Sequence, residues 1–252
     1  MKLLTLARDL RRRKAREKHS LFVAEGVRSV EELLRSAVPL RGVLTAPQLS
    51  EAPRGQTLLE AIRGSGVEFA ELSEKDFRSA AETESPQGVL AIAEVPKRTL
   101  DTLEIGDVCR LIVLDGVQDP GNAGTIVRTA AALGATATIA LPGTVDLWNA
   151  KVIRSSMGAQ FAHPALHAGA DDVLAFLERK GIDLWAADPG GEELRRTEAP
   201  SRLAIAVGNE GSGLSPTIRT RARRTISLPI APGVESLNVA VATGIILYEL
   251  RA

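Results

Sequence analysis

The most constraining feature of this 252-residue chain is an apolar run that stops abruptly: Arg110-Leu111-Ile112-Val113-Leu114-Asp115 passes into Gly116-Val117-Gln118-Asp119-Pro120-Gly121-Asn122. Four consecutive aliphatic residues bounded by turn residues read as a strand buried on both faces. A helical stretch from about Ala123 to Leu133 and a second apolar run, Thr136 to Ala140, complete a βαβ start, which predicts a parallel sheet flanked by helices. Further strands are expected at Leu184–Ala187, Leu203–Val207 and Thr225–Leu228, followed by an apolar, buried helix from Leu237 to Leu250. A strand that turns directly into a helix leaves unpaired N–H groups at the sheet's carboxyl edge, where anions and cofactors bind in open α/β sheets.

Two later segments repeat this pattern. Ala206-Val207-Gly208-Asn209-Glu210-Gly211-Ser212-Gly213-Leu214 runs from a strand into a loop with three glycines, which permit close backbone approach to a ligand and hold Glu210 at the rim. In Ser227-Leu228-Pro229-Ile230-Ala231-Pro232-Gly233-Val234-Glu235-Ser236-Leu237-Asn238, the prolines and Gly233 force an irregular loop that ends at a helix N-terminus. Ser236 is a good N-cap for that helix, and Asn238 beside it is a second polar group that needs a partner if buried. Taken singly, each segment is equally compatible with a tight turn or a helix cap, Asp119 or Asn122 being the capping residue in the first. Arg128, several residues into the first helix, shares the carboxyl edge, where an isolated arginine is usually a surface residue.

Ahead of these segments, the first part of the chain reads as a small α/β unit. It has a basic helix near residues 3–18, a strand at Leu21–Ala24, a helix from Val27 to about Ser36 opened by Gly26, a strand near Gly42–Thr45, a helix around Leu58–Ile62, and strands near Val67–Ala70 and Gly88–Ala93. This alternation suggests a mainly parallel or mixed sheet. The apolar pattern lapses at Pro96-Lys97-Arg98-Thr99. The expected organisation is therefore a domain over residues 1–95, a linker over 96–106 and a second domain over 107–252.

The formal net charge of zero argues against a protein that grips nucleic acid through its overall field, so charge has to act locally. Two basic clusters stand out, from Arg8 through Arg11, Arg12, Arg13, Lys14, Arg16 and Lys18, and at Arg219, Arg221, Arg223 and Arg224. Alone, each reads as a solvated helix face. Cys109 is the one cysteine, which excludes an intramolecular disulfide and reads as a buried, inert thiol. Pro164 between His163 and His167 disfavours a helix presenting both to a metal, and no metal site is expected. The apolar start is too short for a signal peptide or membrane span, so a cytoplasmic protein is expected, with no membrane partner.

Together and in this order, the phrases PGNAGTIVRTAAALGA, GNEGSGL and SLPIAPGVESLNVAVATGI resemble the three signature motifs of the SpoU family, the TrmH-like RNA 2′-O-ribose methyltransferases of the SPOUT superfamily. Phe22-Val23-Ala24-Glu25-Gly26-Val27-Arg28 and Pro86-Gln87-Gly88-Val89-Leu90-Ala91 also resemble that family's N-terminal substrate-binding domain, similar to ribosomal protein L30e. The resemblance implies an α/β fold with a C-terminal trefoil-knotted methyltransferase domain and a smaller N-terminal L30e-like domain. It implies S-adenosyl-L-methionine as cofactor, with Gly208, Leu228, Ile230 and Leu237 at its site, and a catalytic group of Arg128, Asn122, Glu210, Ser236 and Asn238. RNA contacts are expected from Arg11, Arg12, Arg13 and Arg154. The partners implied are structured RNA, with 23S ribosomal RNA favoured over transfer RNA, and a second copy of the chain through the C-terminal domain.

Two other classes of protein compete with this one. A non-catalytic knotted RNA-binding protein is opposed by the joint presence of the five catalytic-group residues. A nicotinamide oxidoreductase would need a three-glycine fingerprint and an acidic end to the second strand, which here ends Ala140-Leu141-Pro142-Gly143. A guanidinium is effectively always protonated, so Arg128 as a literal base would require an exceptional pKa shift, and binding the RNA phosphate while stabilising the alkoxide is the less demanding of the roles left open to it.

Overall fold

The computed structural model describes residues 3–194 and 199–250. The chain divides into two compact units, Met1–Lys97 with Trp148–Ala162, and Arg98–Leu147 with His163–Ala252. Elements are numbered along the chain.

In the first unit, α1 (Leu3–Leu10), α2 (Arg13–His19), β1 (Leu21–Glu25), α3 (Val27–Arg35), β2 (Leu40–Thr45), α4 (Pro53–Gly64), β3 (Phe69–Glu71), α5 (Glu74–Arg78) and β4 (Val89–Glu94) surround a four-stranded sheet of order β1-β4-β2-β3. The sheet is mixed: β4 is antiparallel to β1 and β2, and β2 is parallel to β3. Strand period two sorts its side chains. Phe22, Ala24, Val43, Val89 and Ala91 face Val30, Leu33, Leu58 and Ile62 of α3 and α4, while Val23, Leu44, Leu90 and Ile92 face α1 and Phe77.

Two departures from the sequence reading have local causes. The single basic helix expected over 3–18 is two helices, because the chain turns at Arg11-Arg12 and the buried Arg16 guanidinium donates to Leu10 O and Arg11 O at the end of α1. Trp148–Ala162 lies within the second expected domain by sequence but packs with the first unit. Its helices α7 (Ala150–Ser156) and α8 (Ala159–Ala162) bring Trp148, Ile153 and Phe161 into the first unit's core, with Trp148 and Phe161 4.8 and 5.8 Å from the ring of Phe22.

In the second unit, six strands form an entirely parallel sheet of order β10-β8-β9-β5-β6-β7: β5 (Cys109–Asp115), β6 (Ala137–Ala140), β7 (Ala165–His167), β8 (Asp183–Glu193), β9 (Arg202–Gly208) and β10 (Arg224–Ser227). α9 (Ala170–Lys180) and α10 (Pro216–Arg221) supply Val173, Phe176, Leu177 and Ile218 to the core built on Leu111, Val113, Ala204 and Ala206. α6 (Pro120–Ala132) and α11 (Val239–Glu249) pack on each other. Pairing of β5 with both β6 and β9 puts it inside the sheet, which is why its residues are all buried. Every parallel strand ends at the same edge, so the loops after β5 and β9 meet, with Asp115 directly opposite Gly208.

α11 differs from the fully buried helix expected. Ala240, Thr243, Ile246 and Leu247 are buried, whereas Val241, Ile245 and Tyr248 are exposed. No helix among the described residues is long and apolar enough to cross a membrane.

Candidate active site

Each of the three loops is shaped by local chemistry. After β5, Gly116 takes φ 76°, and Thr144 bridges the turn, accepting from Gly116 N (3.0 Å) and donating to Leu114 O (2.8 Å). Pro120 opens α6 at a position where its missing N–H costs nothing, and the Asp119 carboxylate caps the helix by accepting from Asn122 N (2.7 Å). After β9, the chain folds back so tightly that a Cβ on Gly208 would strike the backbone of Gly213 and Leu214. Asn209 and Gly213 exchange both backbone hydrogen bonds, leaving Glu210, Gly211 and Ser212 at the tip. The Asp115 carboxylate accepts from Ser215 N (2.6 Å) and ties the far end of this loop to β5.

The third loop reaches α11 at Asn238. That residue, and not Ser236, is the N-cap: its Oδ1 accepts from Ala240 N (3.0 Å) and Val241 N (3.3 Å). The helix begins at Val239 rather than Leu237, so Ser236 stands two residues outside the cap, exposed in the loop. Asn238 Nδ2 donates to Asn122 Oδ1 (2.9 Å), and Asn122 Nδ2 donates to Glu210 Oε1 (3.0 Å). The second carboxylate edge faces the start of α6, where Gln118 N and Asp119 N lie 3.3 and 3.4 Å from the Glu210 oxygens. One hydrogen-bonded chain, Asn238 to Asn122 to Glu210, therefore joins the three loops.

Partial burial opposes ionisation of Glu210, but the bonds from Asn122 and from the backbone N–H groups of Gln118 and Asp119 outweigh it and hold the carboxyl below its ordinary range. Glu210 is thus a fixed anion with both oxygens engaged. It suits a strut better than a proton acceptor.

The other expected residues are distributed differently. Arg128 lies on the exposed side of α6, six residues and about 9 Å along the axis from Asn122, and makes no hydrogen bond or ion pair among the described residues. It is therefore free to meet a ligand, and it is not part of the Asn–Asn–Glu chain. Gly208 is buried, Leu228 and Ile230 are half-buried, and Leu237 is 37% exposed. Apart from Val234 N donating to Ala231 O, the backbone of residues 228–237 makes no turn or ladder hydrogen bond among the described residues. Open backbone donors and acceptors beside the aliphatic side chains of Leu228, Ile230 and Leu237 have the chemistry to receive an adenosyl group.

Arg154 belongs to the first unit, where one of its guanidinium nitrogens is buried without a hydrogen-bond partner among the described residues. Of the arginines expected to contact RNA near the N-terminus, Arg12 pairs with Asp9 (2.6 Å) and Arg13 with Glu17 (2.7 Å), whereas Arg11 is exposed and unpaired among the described residues. The second basic cluster is largely neutralised, by Arg219–Asp188 (2.9 Å), Arg223–Asp183 (2.9 Å) and Arg221–Glu178 (3.8 Å). Asp115, Thr144 and Asn209 shape the site without standing out in the sequence as site residues. Their signal was slight: a polar residue at the last strand position or beside a turn glycine.

A parallel sheet whose loops converge at its carboxyl edge around polar side chains places this chain among the α/β proteins that bind a cofactor there. Comparison narrows the class: residues 110–248 match the SpoU rRNA Methylase family and residues 5–91 the MRM3-like substrate binding domain, and the chain belongs to the SpoU rRNA methylase family. It is 31% identical over 245 residues to the 23S rRNA (guanosine(2553)-2′-O)-methyltransferase RlmP of Bacillus subtilis, covering 97% of this chain and 94% of that protein. The crystal structure of the SpoU methyltransferase AviRb from Streptomyces viridochromogenes, in complex with AdoMet, aligns over 99% of this chain and 97% of that one, with a TM-score of 0.89 and 28% identity. An AdoMet-bound rRNA methyltransferase from Sinorhizobium meliloti aligns over 99% and 94%, with a TM-score of 0.86 and 28% identity.

Proposed function

We propose that this protein transfers a methyl group from S-adenosyl-L-methionine to a ribose 2′-hydroxyl in ribosomal RNA, 23S rRNA being the substrate favoured over transfer RNA. The observation that carries the reading is the hydrogen-bonded chain from Asn238 through Asn122 to Glu210, which gathers one polar side chain from each of the three motif segments at the carboxyl edge of the parallel sheet. Full-length relatives that act on 23S rRNA support the choice of substrate.

When bound, the cofactor supplies an electrophilic methyl group, and Gly208, Leu228, Ile230 and Leu237 would hold it. Transfer to an alcohol needs the oxygen in line behind the methyl, so positioning supplies much of the rate. Asn122 and Asn238, locked to each other, present a rigid edge for orienting the ribose. Ser236 adds a hydroxyl at the rim. Arg128 is free to take the RNA phosphate and to stabilise the developing alkoxide, while a phosphate oxygen or water accepts the proton. Arg11 is the best placed of the three N-terminal arginines to contact RNA, because it is exposed while Arg12 and Arg13 already hold acidic partners.

The same reading includes a homodimer through the C-terminal unit. The exposed face of Val241, Ile245 and Tyr248, with Thr125, Thr129 and Gly244, lines an open cleft of about 380 Å³ between α6 and α11, and apolar faces of this kind are ordinarily covered by a partner. The protein would work in the cytoplasm, where ribosomal RNA is found. The deciding experiment incubates it with radiolabelled S-adenosylmethionine and separated ribosomal and transfer RNA pools, then maps the 2′-O-methyl position. Label in 23S rRNA is expected. Label in transfer RNA alone would move the substrate, and label in neither would leave an RNA-binding protein without the chemistry.

A further inference from the structure

We propose that Asn209 is a positioning residue for the methyl transfer, setting through Glu210 the place of Asn122 and Asn238. The proposal rests on the methyltransferase reading above and assigns a role to a residue outside the expected catalytic group. A single amide does two jobs here. Its Nδ2 donates to Gly116 O (2.8 Å) in the first loop, while its Oδ1 accepts from Gly211 N (2.9 Å), Ser212 N (2.9 Å) and Ser212 Oγ (3.1 Å) inside the second. The carbonyl end thus shapes the turn that displays Glu210, and the nitrogen end fastens that turn to the loop whose continuation carries Gln118, Asp119 and Asn122. These bonds also fix the amide's orientation, because only its oxygen can serve the three donors and only its nitrogen can serve the carbonyl.

The adjacent residue then reaches the other three. Glu210 accepts from Asn122, and Asn122 accepts from Asn238, so a shift of the turn passes directly into the group that would face the ribose. Glu210 also reaches the first loop, but its bonds to Gln118 N, Asp119 N and Asn122 are the ones being positioned, and the other two tip residues offer no substitute. Gly211 has no side chain, and the Ser212 hydroxyl is already committed to Asn209. Asp115 holds only the far end of the loop, through Ser215 N.

The test is a double-mutant cycle in single-turnover methyl transfer to rRNA, with N209A, E210Q and the double variant. A misplacement of about 1 Å at a reacting group costs on the order of a hundredfold, so N209A is expected to slow transfer by about ten- to a hundredfold. On the E210Q background, the same change should slow it by less than about threefold, because the positioning it provides has already lost its object. A residue that merely stabilised the fold would lower the melting temperature and multiply its effect independently of Glu210. If N209A does not fold, the cycle is run with N209D, which keeps the side-chain acceptor and volume but replaces the donor to Gly116 O. Fully multiplicative effects, or a single variant within threefold of wild type, would overturn the proposal. A wild-type protein that methylates no RNA would instead remove the reading on which it rests.

Discussion

Asn238 donates to Asn122 across 116 positions of sequence, at 2.9 Å, while its other amide atom caps α11. The two roles are separable by substitution. Asn238→Asp keeps the cap and loses the donor, so its melting temperature should stay near wild type while methyl transfer falls by about tenfold or more. Asn238→Ala loses both and should in addition lose about 1 kcal/mol of stability, a fall of about 2–4 °C for a domain of this size. Equal melting temperatures for the two variants would show that the cap contributes nothing.

Arg128 is exposed and unpaired among the described residues, so removing it should leave folding untouched. Arg128→Ala is expected to change stability by no more than about 0.5 kcal/mol, while transfer to RNA drops by about a hundredfold or more. Arg128→Lys distinguishes the planar fork from simple charge. A wild-type rate and pH profile for Lys would dispose of the fork.

Gly208 has no space for a side chain, the obstruction being backbone rather than a movable side chain. Gly208→Ala should therefore displace the Asn209–Gly213 turn at a cost of about 1–3 kcal/mol and weaken S-adenosylmethionine binding by at least about tenfold. Isothermal titration checks this directly. Unchanged affinity would place the cofactor elsewhere.

His163 is 5% exposed and 2.9 Å from Thr138 Oγ1. Burial, reinforced by the nearby Arg98 charge, pushes its pKa down to about 4. Its folded value is below its unfolded one, so the stability it confers is complete above the unfolded pKa of about 6.5 and is lost as pH falls from there through about 4. The loss should amount to about 3 kcal/mol at most. Denaturant titrations of wild type and His163→Gln across this range should converge at low pH, and parallel curves would refute the assignment.

The cleft between α6 and α11 predicts that Ile245→Glu and Tyr248→Glu lower the apparent mass toward that of a single chain in sedimentation. Both residues are exposed within the chain, and an unchanged melting temperature for each variant would separate loss of the dimer from loss of folding. A wild-type monomer would remove this part of the reading.

What the sequence determined alone was whatever is local or periodic. The buried run Leu111–Leu114 announced an interior parallel strand, and the turn residues after it announced a loop at the carboxyl edge. Asp119 and Pro120 wrote the start of α6 through capping chemistry that needs only three neighbours. Motif order was legible too, and with it the family. The rest came from the folded chain, because it depends on partners far apart in sequence. It made Asn238 the cap of α11 in place of Ser236 and assigned Trp148–Ala162 to the first unit because three of its apolar residues complete that core. It also separated paired Arg12 and Arg13 from Arg11, which is exposed and unpaired among the described residues, and set Glu210 as an anion bound on both oxygens. Side-chain pairing is a matter of direction and distance in space, which hydrophobic period and residue type do not encode. For the same reason, Asn209 reads as one more turn residue until Gly116 O is found 2.8 Å from its amide.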